Sequence, residues 1–433
     1  MPPLDARLQK RYLHLVNGHL NVVQAIAAGI KTLPAAGSAF AATQAAWRFF
    51  ANERVTLDAL VTPLRQLGQQ SCAASESPYA LIVHDWSKLD YDGHASKADL
   101  VRLSNARDWG YELTTALLVD AANGAPLAPL GLAVRAADGV HTTEADTPQR
   151  RRPHLDQVLP WMQASRGWGL PRTPVHVIDR EADSVKHLRR WQRAGHLFLV
   201  RADDRRVQWA GQSCRLSEVV ASLDQAGQFR LAGPVEIRGQ SGQQYVAQAE
   251  VTLDGAAWAR RRDGRKYRVP GPALPLRLVV VQVRDECGQL LAEWLLLTNV
   301  TDVPAEQVAL WYYWRWQIES FHKLLKSSGL ELEEWLQESA AAIAKRLLVA
   351  CMACVTVWQL QRQTTPAAQE CQELLVRLSG RQTKRSRPVT TPALLAGLSK
   401  LLAVLDVLEE YTPAQLRRLA AIAVPHLSHL ESG

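Results

Sequence analysis

Two short apolar runs that each lead into an aspartate constrain this chain more than any other feature. Residues 79–84 read YALIVH and are followed by Asp85; residues 175–178 read VHVI and are followed by Asp179. Short, β-branched apolar runs bounded by polar residues predict strands. ELTTALLVD and GLAVRA predict further strands around residues 112–136, and LFLVRA another at 197–202, with READSVKHLRRWQRAG as an intervening helix. Several strands with such a helix indicate an α/β core. A carboxylate buried at a strand end is costly unless it is paired or binds a cation. Taken singly, each aspartate is equally well a turn residue or a cap, and Asp179 before READ suits a helix cap.

A third carboxylate sits in WYYWRWQIESFHKLLKSSG, residues 311–329. At about 100° per residue, Tyr312, Arg315, Glu319 and Lys326 fall within an arc of roughly 60° on one helix, flanked by His322 and Lys323. Trp314, Ile318, Phe321 and Leu325 lie opposite. The apolar side is therefore expected on the core, and the other side presents one carboxylate framed by a phenol and several cations. Such a surface suits gripping phosphates beside a metal ligand. Asp85, Asp179 and Glu319 together can hold two Mg²⁺ about 3.5–4 Å apart, one activating the attacking hydroxyl and the other stabilising the leaving oxygen.

Lys plus Arg outnumber Asp plus Glu by 50 to 42, a net charge of +8. That excess favours an anionic partner, nucleic acid being the usual one, although a merely basic soluble protein fits equally well. Cys351-Met-Ala-Cys354 has zinc-site spacing but lies in the apolar run LLVACMACVTVW with no second ligand pair, which favours buried helical thiols. That run, at 347–358, falls short of the roughly 20 residues that cross a bilayer. The start, MPPLDARLQKRYLHL, lacks a signal-type apolar stretch. A soluble, cytoplasmic protein with no membrane partner is expected.

Residues 1–70 read as a helical N-terminal domain. RLQKRYLHLVNGHLNVVQAI carries Arg7, Lys10 and Arg11 on its opening turn; the break TLPAAGSAF follows; then AATQAAWRFFANERV forms a second helix bearing Arg48. These helices suit a DNA-binding module, and a plain packing domain equally. Residues 76–202 form the first part of the α/β core. From 203 to 298 the texture changes to alternating, β-branched segments separated by turn residues, a mostly antiparallel insertion. It includes RRRDGRKYR at 260–268, either a solvated hairpin tip or a phosphate-contacting one. Residues 299–340 return to the core with the cationic helix. Residues 341–433 are helical, interrupted by the basic loop GRQTKRSRP at 380–388.

Tyr312-xx-Arg315-xxx-Glu319-xxxxxx-Lys326 matches the YREK signature of the insertion-sequence-four family of bacterial DDE transposases. Asp179-Arg-Glu-Ala-Asp183 resembles that family's second-aspartate motif and HDWSKLDY its first, with Trp86 where relatives often carry a small hydroxyl residue. AATQAAWRFFANERV is similar to the family's N-terminal DNA-binding segment. The resemblance implies an RNase H-like catalytic core with a β insertion, flanked by helical N-terminal and C-terminal domains. It implies Asp85, Asp179 and Glu319 as ligands of two Mg²⁺, with Mn²⁺ able to substitute. It implies Tyr312, Arg315 and Lys326 as phosphate contacts. It places Trp294, in EWLLLT, where the family stacks a tryptophan on a flipped base, a strand tryptophan in the core being the alternative. Arg201 matches a basic residue near the same hairpin. The implied activity is cut-and-paste transposition: nicking, hairpin formation, hairpin opening and joining to target DNA. The implied assembly is a homodimer bridging two ends, with the C-terminal region as its contact, in a bacterial, nucleoid-associated setting. A domesticated DNA-binding protein and a stand-alone RNase H-like nuclease are the alternatives.

Overall fold

The computed structural model describes residues 4–20, 38–105, 107–260, 265–327, 330–381 and 389–423. The tip of RRRDGRKYR (261–264), most of the basic loop (382–388), the later part of the first expected helix (21–26) and most of the following break lie outside the described residues. In chain order the elements are α1 (Ala6–Leu20), α2 (Ser38–Ala51), α3 (Leu57–Ala73), β1 (Tyr79–Asp90), β2 (Val101–Arg102), β3 (Trp109–Asp120), β4 (Pro126–Arg135) and β5 (Val140–Thr142). Then come α4 (His154–Ser165), β6 (Thr173–Ile178), α5 (Val185–Arg193), β7 (Leu197–Arg201), β8 (Arg206–Trp209), β9 (Gln212–Arg215), α6 (Leu216–Gln225), β10 (Arg230–Ile237) and β11 (Gln240–Leu253). The remainder is β12 (Ala257–Arg260), β13 (Lys266–Val269), β14 (Leu274–Arg284), β15 (Leu290–Thr298), α7 (Ala305–Trp314), α8 (Trp316–Lys326), α9 (Ala340–Arg362), α10 (Pro366–Ser379), α11 (Thr391–Glu410) and α12 (Pro413–Ala423).

The chain divides into two compact units, one of residues 61–88 and 112–321, the other of residues 1–60, 89–111 and 322–433. The first is built on a sheet of strand order β5-β4-β3-β1-β6-β7-β15-β14-β11-β8-β9. The apolar runs read from the sequence become adjacent parallel strands: β1 pairs with β6 from Tyr79↔Thr173 to His84↔Ile178, and β6 pairs in parallel with β7. Parallel neighbours need a crossover, and α5 supplies the one between β6 and β7. The strand β1 does not stop at Asp85 but runs on to Asp90; only its ladder with β6 ends at His84.

Within residues 203–298, β12 and β13 pair as a separate two-stranded sheet, but the other strands join the core sheet. Strand β15 pairs antiparallel with β7, Leu296 opposite Arg201, and β14 and β11 follow in antiparallel register, so the insertion lengthens the core sheet. Strand β14 is buried over most of its length, which is why its sequence reads as a continuous apolar run. Val158 and Met162 of α4, Leu188 and Trp191 of α5 and Val219 of α6 pack with Phe198, Val280 and Leu297 of the strands in one apolar core. The helix α6 was not expected within a β-type segment; LSEVVASLDQ buries Leu216, Val219, Val220 and Leu223 at helical spacing. The two-residue turn joining β10 and β11 places Arg238 at φ 50° and Gly239 at φ 81°, the all-positive geometry that suits the twist of a hairpin.

In the second unit α1 and α2 pack on α9, and α10 packs on α11. The N-terminal and C-terminal helical segments thus share one unit rather than forming two domains. The apolar run 347–358 lies inside the 23-residue α9, whose residues are mostly buried in the helical packing. Both α9 and the 20-residue α11 are long and apolar enough to cross a membrane by length and composition. Cys351 and Cys354 are buried free thiols on α9, Cys354 pushed up by burial to about 12.

Candidate active site

Alternation along β1 sorts its side chains. His84 and Trp86 face α4: His84 lies against Trp161 and bonds His176 at 2.9 Å, and Trp86 stacks on His154 with ring centres 5.1 Å apart. Asp85 faces the other way, toward Arg315, whose Nη1 is 3.9 Å from its Oδ2. Its Oδ1 accepts the Trp86 N–H at 2.8 Å. Burial pushes the Asp85 carboxyl up to about 6, Asp179 and Glu319 add repulsion, and the Trp86 N–H and Arg315 oppose the rise.

Asp179 follows the last paired residue of β6, one step beyond Ile178, so it leaves the sheet beside Asp85. It caps a one-turn helix over Arg180–Ala182, its Oδ1 accepting the Glu181 N–H at 2.7 Å. The capping reading therefore holds for this side chain, which also lies beside Asp85. The motif's second aspartate, Asp183, is buried, its side chain 1% exposed. Its Oδ2 accepts the Asp203 N–H at 2.8 Å and the Arg205 Nη2–H at 2.7 Å. That ties the Asp179 turn to the segment leading into β8.

Glu319 lies in the first turn of α8, and Arg315 Nη2 donates to its Oε1 at 2.7 Å. Arg315 is 6% exposed and separates α7 from α8. Its N–H bonds back to Tyr312 O, and the Ile318 N–H bonds to Arg315 O, a tightened turn where the sequence suggested one uninterrupted helix. A Cβ on Gly124 would come within 2.4 Å of the Trp314 ring, so this glycine lets the end of α7 seat closely. Arg315 thus stands between Asp85 and Glu319, with the Tyr312 and Trp316 rings each 5.6 Å away. Burial acts against its charge, yet Tyr312, Glu319 and Asp85 together raise its pKa.

The face that was expected to meet solvent is therefore largely interior. Tyr312 is 1% exposed and packs edge-on against Trp294, itself 6% exposed on β15. A base reaches the Trp294 ring only if its neighbours move. The helical wheel failed here because it cannot distinguish a face open to water from one packed on another element. Burial raises the Tyr312 phenol, and Arg315 and Arg201 partly counter it, which places the Arg201 charge near the same hydroxyl. Further along α8, in the other unit, His322 is buried and lowered to about 4 by burial and by Lys326. Lys323 is exposed, and Lys326 pairs with Glu333 at 2.9 Å.

Also in that unit, Arg7, Lys10, Arg11 and His14 of α1 line one groove of about 630 Å³ with Arg48 of α2 and Asn52. No acidic side chain lines it among the described residues. Two aromatic features of the core unit escaped the sequence reading. Trp316 is 41% exposed one position after Arg315; the aromatic-rich run WYYWRW around it gives no signal that this ring, and not Trp311 or Trp314, meets solvent. The stack of Trp86 on His154 had none, because its partners lie far apart in sequence.

Asp85 and Glu319 flank Arg315, and Asp179 follows the strand beside Asp85. In this geometry the three carboxylates do not converge closely enough to share one ion, although carboxylate oxygens are the donors hard divalent cations take. Residues 80–355 match the family described as the transposase DDE domain, and the chain belongs to that family. It is a transposase of the DDE class. No curated protein matches the chain. A solved piggyBac transposase synaptic complex with hairpin DNA is similar at 8% identity and a TM-score of 0.33, over 97% of this chain and 77% of that one.

Proposed function

We propose that this protein is a cut-and-paste DNA transposase of the YREK type, built on an RNase H-like core. The observation that carries the reading is the gathering of Asp85 and Glu319 around Arg315, with Asp179 leaving the adjacent strand. Asp85, Asp179 and Glu319 would hold two Mg²⁺, or Mn²⁺ in their place. When bound, such ions offset the charge that builds on the attacking and leaving oxygens of an in-line displacement. Arg315 keeps Asp85 and Glu319 oriented in the free protein and offers a guanidinium for the phosphate backbone. Tyr312 and Arg201 add contacts to the same backbone, and Lys326, His322 and Lys323, on the later part of α8 in the other unit, contact DNA phosphates as well. Trp294 receives an extruded base once its packing on Tyr312 opens.

In this reading the protein nicks DNA at the element's end, and the freed 3′-hydroxyl attacks the opposite strand to form a hairpin. Water reopens the hairpin, and the 3′-hydroxyl then joins target DNA. The groove of Arg7, Lys10, Arg11 and Arg48 binds the backbone of the end sequence. A homodimer places one active site at each end. The exposed Val404, Leu405 and Leu408 of α11, with Leu419 and Ile422 of α12, give an apolar surface for that contact. The setting is the bacterial cytoplasm, at the nucleoid.

The test uses wild type and Glu319→Ala with a duplex carrying the DNA that borders the gene, recovered with its terminal repeat and flank, in Mg²⁺ or Mn²⁺. A flank-length product that migrates as a hairpin on a denaturing gel, absent in the variant, is the expected result. DNA binding without cleavage by either protein would replace the reading with a DNA-binding role alone.

A further inference from the structure

The sequence QRRRPHLD places Arg150, Arg151 and Arg152 immediately ahead of α4. All three are exposed, and none has an ion-pair partner among the described residues. Other arginines of this unit are matched to acids: Arg65 to Glu144, Arg135 to Glu112 and Arg190 to Asp156. Three adjacent unmatched cations repel one another and raise the local attraction for an anion. A run of charge on a free loop is commonly just a solvated surface. This loop, however, is fixed at both ends. Gln149 exchanges two backbone hydrogen bonds with Val140 at 2.8 Å, and the Arg152 carbonyl accepts from Gln157 Nε2 at 2.9 Å.

Its far end is fixed to the active-site strand. His154, two residues after Arg152, stacks on Trp86 at an interplanar angle of 20°, and Glu112, which Arg135 also approaches, accepts from its Nε2. Trp86 is the residue after Asp85 and points to the opposite side of β1. The arginines therefore flank Asp85 on the α4 side, whereas Arg315 and Glu319 flank it on the other. Two residues of chain and two stacked rings put them on the order of 20 Å from Asp85, roughly six nucleotide steps along a strand.

We propose that Arg150, Arg151 and Arg152 form a second phosphate-gripping surface, which holds the DNA backbone on the α4 side of the active site. It rests on the reading of Asp85, Asp179 and Glu319 as the site that cuts DNA. Guanidinium groups bind phosphate through paired N–H donors, and backbone contacts of this kind carry no sequence information. The same chemistry serves two stretches of DNA: the flank beyond the element's end, or the target.

The test compares wild type, R150A/R151A/R152A and R150K/R151K/R152K in the full chain, without divalent metal. The DNA probes are the element's end with its flank, the end trimmed of its flank, and an unrelated duplex. Affinities are taken over roughly 50 to 200 mM salt. Each phosphate that is no longer neutralised by an arginine lowers the slope of log affinity against log salt by about 0.9, so the alanine variant should fall by about 2 to 3 in slope. The lysine variant keeps the charge and should keep most of the slope, which separates phosphate binding from a folding defect, as do matched melting curves. A weaker slope confined to the flanked duplex assigns the surface to the flank, and a weaker slope on the unrelated duplex assigns it to target DNA. An unchanged slope on all three probes overturns the inference. Cleavage by wild type in a parallel Mg²⁺ or Mn²⁺ reaction with an unchanged slope leaves the transposase reading standing. A reduced slope with no cleavage by wild type in that metal-containing reaction retires the active-site reading and keeps the surface as a DNA-binding one.

Discussion

Two buried arginines, one in each unit, show how differently the same side chain can be held. Arg315 lies among carboxylates, between Asp85 and Glu319, and its surroundings raise its pKa. Arg346, on α9, is 2% exposed and lies 3.9 Å over the Trp335 ring. Its Nη1 donates to Gln337 Oε1 at 2.8 Å and its Nε to His19 Nε2 at 3.4 Å. Burial lowers Arg346 to about 9, and burial together with Arg346 drives His19 to about 3, so that His19 is neutral. One arginine balances charge that a divalent cation could also balance. The other is enclosed by an aromatic face and neutral acceptors, an arrangement that packs α9 against α1 but offers nothing to a phosphate. A buried cation points to a chemical site when the groups around it are acids in excess.

The largest expected effect tests the first half of this contrast. Glu319→Ala should slow nicking at least about a thousandfold, roughly 4 kcal/mol of barrier, while leaving metal-free DNA binding within a few-fold of wild type. Retention of nicking would remove Glu319 from the chemistry. Arg346→Ala tests the other half. It opens space over Trp335 and removes the donor to Gln337 Oε1, and should cost about 3 kcal/mol in denaturant unfolding without lowering the nicking rate of the folded fraction. A variant that melts like wild type but cuts poorly would dissolve the distinction between the two arginines.

A subtler effect concerns the crowding that Arg315 only partly relieves. Asp85 sits at about 6 in the folded chain against an ordinary 3.8. The folded state therefore binds the proton more tightly than the unfolded one. Stability from this group is full below about pH 4, falls as pH rises to about 6, and is level above that. The distance between those two values sets an upper bound of about 3 kcal/mol. In metal-free buffer near neutrality Asp85→Asn should melt higher than wild type, the gap closing toward pH 4 and also on adding Mn²⁺, which stabilises wild type alone. Equal melting at every pH would show that the site carries no excess acid. The smallest effect lies away from both arginines. Arg238→Gly relieves a positive φ in the β10–β11 turn and should raise stability by about 0.5–1 kcal/mol with nicking unchanged, a baseline for the other melts.

The sequence made the strands carrying Asp85 and Asp179 legible because each is a short apolar run with a polar end, a purely local signal. Glu319 was legible from helical spacing for the same reason. The burial of Tyr312 and Arg315 was not, since which helical face meets water depends on partners distant in the chain. The same limit hid the union of β7 with β15, a pairing of residues about 95 apart that no local pattern encodes. The cationic residues Arg7, Lys10, Arg11 and Arg48 could be named but not grouped until α1 and α2 were placed in space. The tight turn at Arg315 was invisible because no proline or glycine marks it.

That β7–β15 pairing has a consequence of its own. The chain leaves the core sheet after Arg201 and returns to pair beside it at Leu296, neighbouring strands being only about 5 Å apart. Entrance and exit are thus adjacent doors. The turns between the added strands can lengthen or shorten without shifting the β1–β6 register that sets Asp85 beside Asp179, whereas α6, β14 and β15 are tied to it through the core they share with α4 and α5. The far rim of the sheet is free to vary while the strands at its centre stay fixed.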